Sequence, residues 1–415
     1  MPFNLLKYGL SDKYYDVTSH FTPLGSKLKN KYDIVIIGGG GHGAAIAYYL
    51  AKQHKITNIA ILEKNYLGSG NIGRNTAVLR SNYLTEEGIK FYRESLKLYQ
   101  NLSNELEYNI LLENRGQLTL AHTDAAIRNF RWRAEMNKEF GVKSEMIDLA
   151  EVKKLVPLSN TSADTRYPVL AGLWHEDGGT ARHDAVVWGF AKGACESGVE
   201  LHQKTEVNDI KIKNNKVKSV ITNRGKIDCN IVVQAVAGYS SVVAKMAGIE
   251  LPIHSYPLQA MVTQPYKKLI TPLVSSPQHH LYIQQTSRGE MVLGGGSDPY
   301  PLYNTRSSLE LKESLASAAV ELFPFFKDLQ LMRQWAGITD MTPDYSPIMG
   351  TSPVDNYYLN AGWGTWGFKA TPIVGKTMAE FIASGKIPEL IEPFALERFC
   401  NFNLVNEAGA TAAGH

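Results

Sequence analysis

Asp33-Ile-Val-Ile-Ile37-Gly-Gly-Gly-Gly-His42-Gly-Ala-Ala-Ile-Ala-Tyr-Tyr-Leu50-Ala-Lys-Gln-His-Lys-Ile-Thr-Asn58-Ile-Ala-Ile-Leu-Glu63 decides the fold of this chain. The apolar, β-branched run Asp33–Ile37 reads as a short buried strand that stops at glycine. Gly38, Gly40 and Gly43 then fit the GxGxxG spacing, and Ala44 to Lys52 form the helix behind it. One glycine allows the tight turn, one the approach of a pyrophosphate, and one close helix–strand packing. The helix start offers free N–H groups and a positive dipole end to phosphate. A second strand, Asn58 to Leu62, ends at Glu63, placed to bind the ribose hydroxyls of an adenosine. Strand, glycines, helix, strand and acid in register make a dinucleotide site. The unit alone does not separate NAD from FAD. Nor is it a membrane span: Ile34–Ala51 is interrupted by five glycines and His42.

Outward from this unit, 415 residues give room for two domains or one large domain with insertions. A hydrophobic content of 44% and charged content of 20% describe a globular protein, and a net charge of +3 gives no broad nucleic-acid footprint. Cys195, Cys229 and Cys400 are odd in number and widely spaced, which argues for a reducing compartment. The first residues show no basic segment followed by an apolar core, so a cytoplasmic location is expected.

Residues 1–31 read as an N-terminal arm. The loop Lys64–Tyr83, rich in Gly, Asn and Arg, suits the lining of a phosphate or ring. Helices are expected at Glu86–Leu106, Asp124–Phe140, Asp148–Val156, from Asp184 to about Ser197, at Leu309–Phe323 and from about Thr371 to Ser384. Val199–Lys213 reads as strand, Lys216–Thr222 and Lys226–Asp228 as a small meander, and Asn230–Gly238 as a further buried strand ending in glycine. Gly116–Ala121, Leu170–Trp174, Gln259–Thr263, Leu281–Gln284, Glu290–Gly294, Gln330–Thr339 and Asn356–Asn360 complete the strands. The expected fold is α/β: a discontinuous Rossmann-like FAD-binding domain (32–110, 160–250, 340–400), a mixed or antiparallel-sheet substrate domain (111–159, 251–339) and a tail (401–415), the architecture of glycine and D-amino-acid oxidases.

The segments 70–84, 166–174, 181–191, 250–260, 342–348, 362–372 and 393–399, with the glycine unit, strongly resemble the beta-subunit family of heterotetrameric sarcosine oxidases. The resemblance runs from about residue 31 to the end. It implies a non-covalent FAD, a covalent FMN, and companion alpha, gamma and delta subunits. The implied reaction is oxidative demethylation of sarcosine to glycine and formaldehyde, or to methylenetetrahydrofolate if the alpha subunit supplies folate. Electrons would pass from FAD to FMN to oxygen, giving hydrogen peroxide.

By the same resemblance, Gly38, Gly40, Gly43, Glu63, Lys64, Asn71, Arg74, Asn75, Thr76 and Val207 line the FAD, and Gly364, Gly367 and Phe368 meet its ring. Pro372 is expected in the first turn of the helix that follows. Gly337 stands where monomeric relatives carry a flavin-linking Cys, so the FAD is expected to be non-covalent. His183 matches the residue that bears FMN; its imidazole can add to the flavin 8-methyl group where a protonated Lys or Arg could not. Arg80 and Lys369 match the carboxylate-binding pair, and a buried carboxylate needs such charged donors. His254 is a weaker site candidate.

Two departures stand out. Trp366 replaces a glycine of the family pattern, and no Lys lies near Glu290–Leu293 where monomeric relatives keep one for oxygen activation. Two other readings stay open: an FAD-dependent dehydrogenase of proline or another secondary amino acid, and a non-catalytic subunit that only holds flavin.

Overall fold

The computed structural model describes residues 21–407. Most of the expected arm and the end of the expected tail lie outside them. Two eight-stranded sheets and one three-stranded sheet carry the architecture. In the first sheet Lys31–Ile37 lies parallel between Ile59–Leu62 and Gly225–Gln234, with Glu200–His202 beyond Ile59–Leu62. The central strand is apolar on both faces because both are covered, Ile34 and Ile36 by helices and Val35 and Ile37 mainly by the strands Val207–Lys213 and Lys216–Thr222 with the short helix Ser240–Met246.

The helix Gly41–Lys52 is buried along nearly its whole length. It packs against Gly367–Ser384 and His183–Glu196. Small residues permit the approach: a Cβ on Gly375 would sit 2.6 Å from Ala45 Cβ, and one on Gly193 would sit 2.6 Å from the Tyr48 ring. Each fully buried isoleucine of this core, Ile34, Ile36 or Ile46, contributes about 1.5–3 kcal/mol of transfer free energy.

The second sheet runs in the order Leu331–Met341, His254–Pro265, Glu290–Ser297, Leu281–Gln285, Leu273–Ser276, Gln117–Ala121, Ala171–His175 and Ser144–Asp148. All its pairings are antiparallel except Leu273–Ser276 with Gln117–Ala121. The small sheet joins Val78–Leu79, Gly179–Thr180 and Glu113–Asn114, between the two large ones in sequence.

Several expectations are corrected. Val199–Lys213 is two strands, because the chain turns at Lys204, whose φ is +54°, and crosses the end of Ile59–Leu62, where Thr205 N donates to Glu63 O at 2.8 Å. The segments expected as Lys226–Asp228 and Asn230–Gly238 are one strand, Gly225–Gln234, which stops four residues short of Gly238 because the chain turns into a short helix at Ala237–Tyr239. The strand's first half pairs with Lys216–Thr222 and its second half with Tyr357–Ala361. Ala171–His175 belongs to the second sheet, so the chain leaves that sheet near Gly179 and not near residue 160. The strands Ser144–Asp148, Leu273–Ser276 and Ile348–Gly350 were not anticipated; each is short and takes its partners from distant segments.

The C-terminal helix begins at Gly367, four residues ahead of expectation, and Pro372 lies inside it. Proline deletes the N–H that would bond Phe368 O. That carbonyl instead accepts from Tyr99 OH at 2.6 Å and Thr371 Oγ1 at 2.8 Å. Substitute donors therefore keep the helix continuous. Among the described residues, no helix is long and apolar enough to cross a membrane.

Candidate active site

The glycine turn is built by steric exclusion. Gly38 sits at φ +110°, and a Cβ there would collide with Ala235 O; a Cβ on Gly43 would collide with Gly38 O. Around Gly40 the space is open, with nothing within 4 Å of its Cβ position. The helix N-cap is Gly40, with no side-chain cap, so the first helical N–H groups face that opening. Glu63 Oε2 accepts from Gly39 N at 2.9 Å, and Oε1 from Asn65 N at 2.8 Å and Ser69 Oγ at 3.2 Å. The acid thus also braces the turn. This cradle fits the pyrophosphate and adenosine half of a dinucleotide. Lys64 places its ammonium 3.4 Å over the Tyr239 ring, and Val207 is buried at the start of a strand, in the cluster with Ile37 and Leu62.

The loop 68–77 lies against the turn. Gly68 N donates to Gly39 O at 3.0 Å, and a Cβ on Gly41 would be 2.5 Å from Ile72 Cδ1. Asn71 grips the second sheet, donating to Ile338 O at 2.5 Å and accepting from Ile338 N at 3.0 Å. Arg74 turns back onto Ser69 O and Gly70 O, while Asn75 accepts from Ala77 N. Thr76 O accepts from Gln284 Nε2 at 2.6 Å. Gly337 faces this loop, with Asn71 Oδ1 3.3 Å from where its Cβ would be.

His42, which the sequence reading passed over except as a break in an apolar run, couples the turn to the C-terminal helix. Burial pushes its pKa down to about 4, so the neutral ring donates from Nε2 to Gly367 O at 2.7 Å. Its Nδ1 accepts from Asn360 Nδ2 at 3.2 Å, and Trp363 Nε1 donates to Asn360 Oδ1 at 2.8 Å. Asp340 was missed too. Its carboxylate accepts from Gly362 N at 2.7 Å and Ser240 Oγ at 3.4 Å, and burial raises its pKa to about 6. A buried acid beside a glycine loop leaves no local sequence mark.

Arg80 and Lys369, 289 positions apart in sequence, meet across one indole. The Arg80 guanidinium carbon lies 4.4 Å over the Tyr83 ring and 5.2 Å from the centre of Trp366; Lys369 Nζ lies 5.7 Å from the same centre. Both residues are buried. Arg80 donates to Asn82 O and Oδ1 at 3.1 and 3.0 Å, and Lys369 donates to Thr365 O at 3.2 Å. Burial first, then Arg80, holds the Lys369 pKa well below the ordinary lysine range. Among the described residues Lys369 makes no ion pair with an acid. Arg133 adds a further buried cation nearby, its pKa pushed down to about 9 by burial and by Arg80; it donates to Asn82 O at 2.7 Å. The geometry is ready for an anion. Neutral His175, its pKa pushed down to about 4 by burial, accepts from Ser81 N at 3.2 Å and fixes the backbone beside Arg80.

The segment Thr342-Pro-Asp344 is a structural pin. Asp344 binds Arg398 through two contacts, 2.7 and 2.9 Å, with both residues buried. Two of the segments that carried the resemblance are thereby joined.

His183 stands apart from this assembly. It opens the helix His183–Glu196, on the far side of the loop 68–77, where Val187 packs on Gly68. Its Nδ1 is buried and has no hydrogen-bond partner among the described residues, and burial lowers its pKa. His254 is exposed at the start of its strand. Cys195, Cys229 and Cys400 are unpaired, and among the described residues no cluster of His, Cys, Asp and Glu is arranged to hold a metal.

Residues 33–381 match the family model of FAD dependent oxidoreductases. The chain is 46% identical over 387 residues to sarcosine oxidase subunit beta of an Arthrobacter species, covering 93% of this chain and 96% of that protein. It is 45% identical to sarcosine oxidase subunit beta of Rhodobacter capsulatus, with 93% of both covered. Among solved structures, L-proline dehydrogenase from P. horikoshii superposes with a TM-score of 0.85 at 32% identity, over 91% of this chain and 100% of that one. Glycine oxidase from Geobacillus kaustophilus, 22% identical with a TM-score of 0.80 over 89% of this chain and 99% of that one, shares the fold. The chain belongs to the FAD-dependent oxidoreductases and, within them, to the sarcosine oxidase beta-subunit family: it is a flavin-dependent amine-oxidising enzyme.

Proposed function

We propose that this protein oxidises sarcosine. The observation that carries the reading is the meeting of Arg80 and Lys369 at one buried place beside the helix start that His42 ties to the glycine turn. Arg80 and Lys369 would hold the substrate carboxylate, each contributing a charge-assisted contact of about 1.5–3 kcal/mol. The glycine turn, Glu63, the loop Asn71–Thr76, and Gly364, Gly367 and Phe368 would hold FAD without a covalent bond. When bound, FAD supplies the two-electron acceptor for C–H cleavage at the N-methyl carbon. This chain's part is to orient the amino acid and exclude water, as the burial of both cations favours.

His183 would carry a covalent FMN. This is supported by its neutral ring and the buried, unpartnered Nδ1, a nucleophilic nitrogen engaged in no structural bond among the described residues. Oxygen would be reduced there to hydrogen peroxide, and alpha, gamma and delta subunits would complete the complex. Identity of 46% and 45% to sarcosine oxidase beta subunits favours this substrate. Likeness to a proline dehydrogenase at 32% identity gives proline as the second reading.

Acid precipitation of the purified complex is expected to leave FAD in the supernatant and a flavin in the pellet, its mass on the peptide Thr180–Lys192. In His183→Ala that adduct is expected to vanish and turnover with oxygen to collapse, while anaerobic sarcosine still bleaches the released-type flavin. No adduct on the wild-type peptide would remove the second flavin. Bleaching by proline and not by sarcosine would choose the second reading.

A further inference from the structure

The indole beside the two basic groups is also a wall. Trp366 stands just ahead of the helix Gly367–Ser384, and its ring centre lies 5.2 Å from the Arg80 guanidinium carbon and 5.7 Å from Lys369 Nζ. Both distances are short, so one side chain packs against both basic groups.

The ring has little room to retreat. On one side it meets Tyr83 at 4.8 Å, and Tyr83 is itself stacked on Tyr92 at 3.8 Å with 7° between the planes. On the Gly364 side the backbone is close: a Cβ on Gly364 would sit 3.7 Å from Trp366 Cδ1, in ordinary contact. The backbone is fixed as well, Trp366 N donating to Trp363 O at 2.7 Å immediately before the helix. The residue is buried in the same cluster as Trp363 and Phe91.

We infer that Trp366 is the residue that sets substrate size in this enzyme: it restricts the carboxylate site to amino acids whose α carbon carries no side chain or ring. The inference rests on the reading of Arg80 and Lys369 as the carboxylate pair. A carboxylate held by both groups lies close to this ring, since each group is within 6 Å of its centre, so a substituent on the α carbon competes with the indole for space. A glycine derivative has only hydrogens to place there; a ring fused at the α carbon does not. Packed interiors resist such added volume, and a single methylene misfit changes discrimination by about 10- to 200-fold.

Binding of two plain carboxylates to the FAD-loaded complex tests this without relying on turnover: acetate, and cyclopentanecarboxylate, which has the ring size of proline. Both are followed by perturbation of the flavin absorption. Wild type is expected to prefer acetate by about tenfold or more. Trp366→Gly is expected to bring the two affinities within about threefold, with Trp366→Phe between them; the phenylalanine variant decides the matter should the glycine variant lose its FAD. An affinity ratio that stays the same in wild type and in the FAD-retaining variants overturns the size limit while leaving the carboxylate site in place. If neither acid perturbs the flavin in wild type or in either variant, the carboxylate reading itself falls and takes the inference with it. A purely structural role for Trp366 would lower stability in both variants without moving the ratio.

Discussion

The glycine turn and the cation pocket solve different physical problems. The turn is made by one stretch of thirty-odd residues, and what it requires is the absence of side chains: Gly38 and Gly43 have backbone where a Cβ would go. The pocket is made by side chains from segments nearly three hundred residues apart, and what it requires is basic groups kept out of water, Lys369 among them with no ion pair to an acid among the described residues. Exclusion acts at contact distance and fails abruptly. Electrostatic preorganisation is graded and depends on everything packed around it.

The largest effect should come from breaking the scaffold of the pocket and not its cations. Asp344→Ala leaves Arg398 buried without its acid, which is expected to destabilise the fold by about 3–5 kcal/mol, read as a lowered unfolding midpoint. An unchanged midpoint would mean that the C-terminal segment does not support the pocket.

Gly43→Ala tests the other region. The added methyl meets Gly38 O, so a loss of about 1–3 kcal/mol with most of the bound FAD is expected, measured as flavin content per chain. Normal flavin content would show that the turn yields more easily than its geometry implies.

Arg80→Ala and Lys369→Ala should retain FAD yet raise the apparent KM for sarcosine about tenfold to a hundredfold, the equivalent of about 1.5–3 kcal/mol. Lys369 adds a pH signature. Burial and Arg80 hold its pKa low and an anion favours its charged form, so acetate affinity should weaken as pH rises through the depressed value. In Lys369→Ala that slope should disappear. KM values unchanged in both variants would move the carboxylate site elsewhere.

The most gradual effect concerns acid stability. His42 and His175 are neutral in the fold, with pKa values of about 4, against about 6.5 in the unfolded chain. As pH falls from 6.5 toward 4 the unfolded state takes up protons that the folded state refuses. Stability should therefore fall with decreasing pH, by at most about 1.4 kcal/mol per pH unit for each histidine, and stop falling below 4 on their account. His42 ties the turn to the pocket, so a His42→Gln variant should lose part of this slope in urea titrations at pH 5 and pH 7. An identical slope would show that the link between the regions is not sensed by this ring.

What could be read ahead of the structure follows the same division. The strand–turn–helix–strand unit was legible because its requirements are local and its residues adjacent. The long amphipathic helix Glu86–Glu105 was legible for the same reason. The single strand Gly225–Gln234 was read as two pieces because its partner changes midway, which no local pattern records. The early helix start at Gly367 was hidden by Pro372, whose lost hydrogen bond is replaced by Tyr99 and Thr371. Arg80, Lys369 and His183 were named through resemblance; composition alone would have left each a plausible surface cation or cap neighbour.

By itself, then, the sequence determined where backbone must approach backbone, because glycine spacing and apolar period are short-range properties that a linear chain displays. Tertiary structure alone decided that His42 is a neutral bridge, that Asp340 holds the Gly362 loop, that Asp344 pins Arg398, and that Trp366 lies within 6 Å of both Arg80 and Lys369. Burial and distance set the charge state of a group and the neighbours it answers to, and both come into being only when remote segments close around it.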